Sequence, residues 1–490
     1  MKKALIFLHK WLGVGLALLF LMWFVSGIVM YYVPFPTLAT GERLAGMQPL
    51  QLAGTCCVGA QDAAASATIE FTEARLGMHG PLPVWRLLGS NKRWLTVDAG
   101  SGAALAALTD AQAAQVAERF SGRRALATER LERDQWTVAQ GYNPHRPLVR
   151  VTMDGPDGLE LYVSPGAAEV VLDTRRAERF WNWVGAVPHW LYFTQLRRWP
   201  DLWHNVVVWL SLPGVVLAVT GVALGIWQLY LNRNRRIPYR KFWMRWHHML
   251  GLSASLISVT WILSGLLSMN PFGIFSPRGA TPAESASWKG QQALIMVNAA
   301  RALTLATIDA PREVDLVQLR GQAWYRVRGG AGPADQVLVS ASGAIEASLA
   351  ALPDASITDA LHLLRLEEAG TPVLERLAQY DDLYYSQKPA GVAGTFSRPL
   401  PVWRASWSDG VRIYADPASA RLLLRADART PWQRVLYNGL HSLDFGPLLA
   451  RPLLRATMVL GLCAIGLLLC LTGCVLAWRV LSPSRRAHKK

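Results

Sequence analysis

Cysteine is scarce in this chain, with five residues among 490. No Cys-x-x-Cys-His occurs, which excludes a covalently attached c-type haem. Cys463, Cys470 and Cys474 share one apolar run, where packing is their expected role. Cys56 and Cys57 are adjacent in a polar segment, where oxidation is possible. Carboxylates are also few, 34 Asp and Glu against 50 Lys and Arg, and none falls inside a long apolar run. That absence excludes zinc or copper sites built with carboxylates in those runs. It also removes the buried acids expected at the midplane of a transporter. No glycine-rich nucleotide-binding segment follows the last apolar run.

What is abundant is apolar length. Hydrophobic residues make up 51% of the chain, and four runs approach or exceed the roughly 20 residues needed to span a bilayer. The net charge of +16 invites a nucleic-acid reading, and its distribution rejects one. Lys2, Lys3 and Lys10, then Arg233 to Arg245, then Arg479 to Lys490 gather at alternate ends of the runs without an acidic neighbour. This is the positive-inside pattern, and it places both termini and the short central loop in the cytoplasm. The expected division is a membrane helix over 1–33, read as a retained signal-anchor, and an exported domain over 34–200. A second helix over 201–231, a cytoplasmic loop over 232–241 and a third helix over 242–270 follow. A second exported domain over 271–451, a fourth helix over 452–481 and a tail over 482–490 complete it.

In the exported segments, strands are expected at Val84–Leu88, Arg93–Val97, Leu148–Met153 and Leu159–Ser164, with a turn at Asp98–Gly102. Residues 62–78 have helical composition, and Ala111–Phe120 reads as an amphipathic helix. The later segment repeats the plan, with strands at Trp324–Val327 and Gln336–Val339, a turn at Ser340–Gly343 and a helix over 356–368. Each segment is an α+β module.

The chain is internally duplicated. A shift of 238 carries His9, Leu12, Gly13, Trp23, Ser26 and Gly27 onto His247, Leu250, Gly251, Trp261, Ser264 and Gly265. A shift of 252 carries His189 onto His441, Phe193 onto Phe445 and Thr220-Gly221 onto Thr472-Gly473. Two halves of this length mean a parallel repeat about an axis along the membrane normal, not a solenoid. At about 100° per residue, positions 9, 13, 23 and 27 lie within roughly 40° of one line on a helix.

The histidines carry the chemistry. His9, His247 and His248 sit at the cytoplasmic ends of their runs, His204 opens the second, and His189 and His441 precede the second and fourth. Ionisable groups in membrane helices are costly and usually face a partner. Symmetry-related imidazoles from facing helices are the arrangement that holds haem iron in a bundle. The spacing therefore predicts two non-covalent, bis-histidine haem b groups. The inner one lies between His9 and His247, with His248 as the alternative to His247; the outer one uses two of His189, His204 and His441. Lys10, Lys241 and Arg245 could meet inner propionates, and Arg197, Arg198, Arg451 or Arg455 outer ones. Trp23 and Trp261 could bridge the two levels. His79, His145, His362 and His488 are expected at the surface.

At His9-Lys-Trp-Leu-Gly, His247-His-Met-Leu-Gly, Thr220-Gly221, Thr472-Gly473 and Gly439-Leu-His-Ser-Leu-Asp-Phe, the chain resembles the PepSY-associated transmembrane family, over nearly its whole length. That family includes iron-siderophore reductases of the bacterial inner membrane. The resemblance implies a four-helix membrane bundle of two parallel repeats, carrying two b haems and two α+β PepSY-like periplasmic domains. It also implies reduction of ferric iron held by a siderophore or another chelate, with electrons from a cytoplasmic reductase or quinol. Two rivals remain open here: a non-enzymatic, membrane-anchored PepSY sensor or peptidase-regulating module, and a small-solute transporter. Tyr380–Tyr385 and Trp403–Trp407 are aromatic-polar stretches that could contact a chelate.

Overall fold

The computed structural model describes residues 2–52, 56–231, 238–332, 334–343, 347–386 and 398–482. Most of the expected cytoplasmic loop and tail, including Arg233, Arg235, Arg236 and His488, lies outside the described residues.

Backbone groups in lipid must bond internally, so a long apolar run becomes a helix. Helices α1 (Lys2–Tyr32) and α2 (Pro200–Leu231) are each long and apolar enough to cross a membrane. The third expected span is not one helix. It is α3 (Phe242–Ser253) and α4 (Ser255–Ser268), which meet at Ala254 with a bend of 67°. Helix α5 (Pro452–Leu481) is the third continuous helix of spanning length. At the bend the Ser253 hydroxyl donates to the Leu250 carbonyl at 3.0 Å, and Ala254 leaves helical geometry at φ −93°, ψ 4°. A hydroxyl competing for a backbone acceptor beside small residues is a known cause of bending. Uniform hydropathy conceals such a break.

Helix α1 packs against both α2 and α5, α5 packs on α3, and α2 packs on α4. Between the two ends of this assembly lie Leu16, Phe20, Phe24, Leu217 and Cys470, with Trp23 and Trp261 at the edge of the cluster. Gly466 of α5 faces Phe24 so closely that a Cβ there would overlap the ring.

The remaining chain forms three antiparallel sheets. The first half supplies β1 (Phe71–His79), β2 (Leu82–Gly89), β3 (Trp94–Asp98), β4 (Ala125–Leu131), β5 (Leu148–Met153), β6 (Glu160–Ser164) and β7 (Glu169–Thr174). The second supplies β8 (Glu313–Leu319), β9 (Gln322–Arg328), β10 (Gln336–Ser340), β11 (Ser348–Leu349), β12 (Val373–Leu377), β13 (Val402–Ser406), β14 (Arg412–Asp416) and β15 (Arg421–Ala426). Strands β4–β7 and β12–β15 form two four-stranded sheets. The others form one seven-stranded sheet in the order β11-β10-β9-β8-β1-β2-β3, joined across the repeat where Arg75 faces Asp315 and Leu76 faces Val314.

These findings overturn the expected four-helix bundle with two PepSY-like domains: three continuous spanning-length helices accompany a bent pair, and the largest sheet is common to both halves. Alternation within a strand reports which face is buried, not which strand lies beside it. Residues 62–78 show the same limit. Their helical composition holds only for a helix at Ala60–Ser66, and β1 takes the rest because Ala74, Leu76 and Met78 bury one face between β2 and β8.

The seam between the halves is charged and buried. Glu313 accepts from Arg43 at 2.7 Å and from Arg328 at 2.9 Å; Glu169 accepts from Arg75 at 2.8 Å; Arg326 pairs with Asp315. Burial opposes ionisation of both glutamates, and the arginines override it: Arg75 then Arg43 for Glu169, Arg43 then Arg75 for Glu313. Both carboxyls are held below the ordinary range.

Candidate functional site

The two halves bring four histidines together in two pairs. His9 of α1 and His247 of α3 stand with ring centroids 6.4 Å apart. At the other end, His189 closes the short helix Ala186–His189 and His441 lies in the helix Leu440–Ser442; their centroids are 6.3 Å apart. His9 and the outer anchor Ser26 both lie on α1, 17 residues apart, about 25 Å at the helical rise. That separation is close to the thickness of a hydrocarbon core, about 30 Å. The bent pair still links the two levels, because His247 lies on α3 and Ser264, which holds His441, on α4.

Each ring is set in the same way. The Nδ1 atoms of His247, His189 and His441 lie 3.0 Å from the hydroxyls of Thr472, Ser26 and Ser264 respectively. His9 Nδ1 lies 3.2 Å from the Leu217 carbonyl and 3.4 Å from the Thr220 hydroxyl. Every one of these hydroxyls donates its own proton to the carbonyl three residues earlier, at Leu217, Leu469, Trp23 or Trp261. The hydroxyl oxygen can then only accept. The network thus puts the imidazole proton on Nδ1 and leaves the Nε2 lone pair free at all four rings. That is the orienting contact usual for a metal-bound histidine.

The residue after each hydroxyl is glycine. A Cβ on Gly221 would stand 2.8 Å from His9 Cε1, too close to be accommodated without a shift. At Gly473, Gly27 and Gly265 the matching distances are 3.6, 3.7 and 3.6 Å, which leave room for a methyl group. Four Ser-Gly or Thr-Gly pairs, noted in the sequence only as marks of the repeat, are thus the ring-setting devices. Their recurrence at equivalent positions was the signal that could have revealed the role.

The loops carrying the outer histidines are clamped from the start of the following helix. Trp203 Nε1 donates to the carbonyl of Trp190, the residue after His189, at 2.8 Å. Its counterpart Arg455 donates through Nε and Nη2 to the carbonyl of Ser442, the residue after His441, at 3.0 and 2.8 Å. Arg455 Nη2 also meets the buried Asp444 carboxylate at 2.5 Å. Trp23 Nε1 adds a bond to the His189 carbonyl at 3.1 Å.

The other expected site residues lie elsewhere. His204 stays on the first turns of α2, with no hydrogen bond or ring contact among the described residues, so the outer pair is His189 and His441. His248 turns its ring to Tyr239, centroids 5.3 Å apart, and the inner pair is His9 with His247. His145 is not at the surface as expected: it stacks on Trp94 at 5.8 Å, and burial holds it near pKa 4. Cys56 and Cys57 are joined as a disulfide. Arg455 is committed to its loop. Arg197 is not: it is 9% exposed, packs over Tyr192 and Trp203 at 5.1 and 4.4 Å, and leaves Nε and Nη1 buried without partners.

These features fit two haem groups. A metal–imidazole bond is about 2 Å long and the ring centre lies about 1 Å beyond Nε2, so two rings on opposite sides of one metal stand about 6 Å apart. Both pairs have that separation. Among the described residues no cluster of three or more His, Cys, Asp and Glu side chains stands at metal-holding distance, so a closed zinc site of four protein ligands does not fit. Two imidazoles alone suit a metal whose other ligands come from a flat macrocycle. The orphaned Arg197 donors supply a cation for a carboxylate at the outer level. No protein-family model matches the chain, and no curated protein matches it.

Proposed function

We propose that the protein is a membrane-embedded oxidoreductase that carries single electrons across the bilayer to ferric iron held by a chelator, such as a ferric siderophore, with two bis-histidine b haems as its resident groups. The observation that carries this reading is the repeated setting of the rings: two pairs about 6 Å apart, each ring with Nδ1 held and Nε2 free. A haem bound in this way supplies reversible one-electron transfer with no open iron position. His9 and His247 hold the inner level, His189 and His441 the outer. Thr220, Thr472, Ser26 and Ser264 fix the tautomer and raise ring basicity. Phe20, Phe24, Trp23 and Trp261 fill the space between the levels and keep water out of it.

The basic ends at Lys2–Lys10 and Arg240–Arg245 favour a cytoplasmic inner level and sheets on the far, periplasmic side of a bacterial inner membrane. The donor is then a cytoplasmic reductase or membrane quinol. The test is the visible spectrum of detergent-purified protein before and after dithionite, with haem counted by the pyridine method. Low-spin b-type bands and about two haems per chain are expected. His247→Ala should leave about one, as should His441→Ala, each through loss of a different spectral component. A colourless protein, or haem content indifferent to both substitutions, overturns the reading and favours an anchored, non-enzymatic module.

A further inference from the structure

The halves differ in chemistry beside the outer histidine pair. Arg434 and Tyr437 lie on a π-helical turn, Arg434–Gly439, that leads directly into His441. Such turns are rare and frequently mark functional sites. The Tyr437 and His441 ring centroids are 5.9 Å apart. Arg434 sits over the Tyr385 ring at 3.8 Å, and Arg398 lies 5.1 Å from the Tyr384 ring and 6.0 Å from that of Tyr385. Arg278 completes the group, donating to Gln433 Oε1 at 2.9 Å and Asn438 Oδ1 at 3.0 Å.

Two of these cations lack a carboxylate at ion-pair distance. Arg278 and Arg434 bond only to amide and carbonyl oxygens, and no carboxylate among the described residues stands within 4 Å of either. The seam shows the contrast, since Arg43, Arg75, Arg326 and Arg328 each touch a carboxylate there. Burial, and then the charge of Arg278, lowers the Arg398 pKa; burial lowers that of Arg434, with Arg278 adding to it against the opposing pull of Tyr385, Asp444 and Asp382. An anion bound between Arg278 and Arg434 would offset their mutual repulsion and the burial of Arg434.

The duplicated scaffold keeps the counterpart of Arg398, at Arg146, but does not require Arg434 or Tyr437. At the shift of 252 that relates His189 to His441, Asn182 stands in place of Arg434 and Gly185 in place of Tyr437. Asn182 spends its amide on the carbonyls of Pro34 and Glu178, a purely structural use. The first half thus folds its histidine loop without cation or phenol, and the second adds both.

We propose that Arg278, Arg398 and Arg434, with Tyr385 and Tyr437, form the docking mouth for the electron acceptor, and that the acceptor is an anionic, carboxylate-rich ferric chelate. The assignment rests on the reductase reading for the identity of the iron ligand, but its binding chemistry does not. Guanidiniums recognise carboxylates in a bidentate manner, and tyrosine rings flank them with apolar surface. Tyr437 then separates the bound complex from His441 by a single ring.

The test uses redox-inert gallium(III) in place of iron. Full-length protein in phosphatidylcholine nanodiscs is dialysed against gallium citrate, an anionic complex, and against a neutral gallium tris-hydroxamate, and bound gallium is counted. The wild type is expected to prefer the citrate complex, with affinity falling as salt rises. The Arg278→Gln, Arg434→Gln double variant should weaken citrate binding tenfold or more and leave the neutral complex unchanged, while Arg434→Lys restores part of the loss. Equal binding of citrate by wild type and double variant overturns the proposal. So does loss of the wild type's citrate binding in phosphatidylglycerol nanodiscs, which would mark the cluster as a lipid-headgroup contact. Haem counted on the same samples separates the two claims. Two haems without charge-selective gallium binding sink this inference alone, whereas selective binding by a haem-free protein sinks the reductase reading and leaves the anion site standing.

Discussion

At the scale of single residues, the decisive groups are the hydroxyls behind the histidines. A hydroxyl that accepts from Nδ1–H makes the ring a better donor to a ferric centre and so lowers its potential. Thr472→Val removes that acceptor while keeping the shape. The midpoint of the inner centre is expected to rise by about 60 mV for a tenfold loss of ferric preference, with Thr472→Ser near the wild type, as read by redox titration. Glycine behaves differently at equivalent sites. Gly221→Ala drives a methyl group to 2.8 Å from His9 and should cost about 1–3 kcal/mol and perturb the inner spectrum. Gly473→Ala meets His247 at an ordinary 3.6 Å and should be tolerated. The histidines themselves were legible in the sequence because a shift of 238 superposes two of them on matching apolar runs. Which outer histidine partners His189 was left open: the repeat matches His441 to His189, but His204 opens an apolar run of its own, and the path of the 439–445 loop decides.

At the scale of elements, the clamps on the outer loops use different chemistry for one purpose. The first half uses the indole of Trp203; the second uses Arg455, paired with Asp444 out of contact with water. Arg455→Leu strands a buried carboxylate and is expected to destabilise the protein by about 3–5 kcal/mol. On the proposed haem reading, thermal denaturation followed at the haem bands should show the outer centre released first. Trp203→Phe, which leaves no charge behind, should cost only the hydrogen bond, about 1 kcal/mol. The bend at Ala254 belongs here too. Hydropathy averaged over 242–270 reads as one span, because serines and alanine at the break are as acceptable to a helix as to its interruption.

At the scale of the molecule, the halves are joined by a sheet and by ions. Glu313→Gln leaves Arg43 and Arg328 short of a partner at the seam and should cost about 3–5 kcal/mol, measured by thermal denaturation. The same cluster sets the response to acid. Glu169 and Glu313 have native pKa values below the ordinary 4.5, so the unfolded chain binds more protons, and stability present above pH 4.5 is lost as pH falls below it. His145, held near 4 against an ordinary 6.5, acts earlier in the same direction: the unfolded chain takes a proton below pH 6.5 that the folded one refuses. The melting temperature is therefore expected to decline from pH 6.5 downward, and His145→Gln should flatten the stretch between 6.5 and 4.5.

The sequence by itself determined that the chain has runs long and apolar enough to cross a membrane, that it is built twice over, and that its histidines recur at two levels. These follow from hydropathy, charge placement and periodicity, which are properties of the chain alone. The tertiary structure decided what lies beside what: β1 against β8 in one shared sheet, the broken α3–α4 pair, His189 opposite His441, and Arg278 and Arg398 brought beside the turn that carries Arg434. Such adjacencies depend on which buried faces and charges meet from distant segments, and no local pattern records a neighbour a hundred or more residues away.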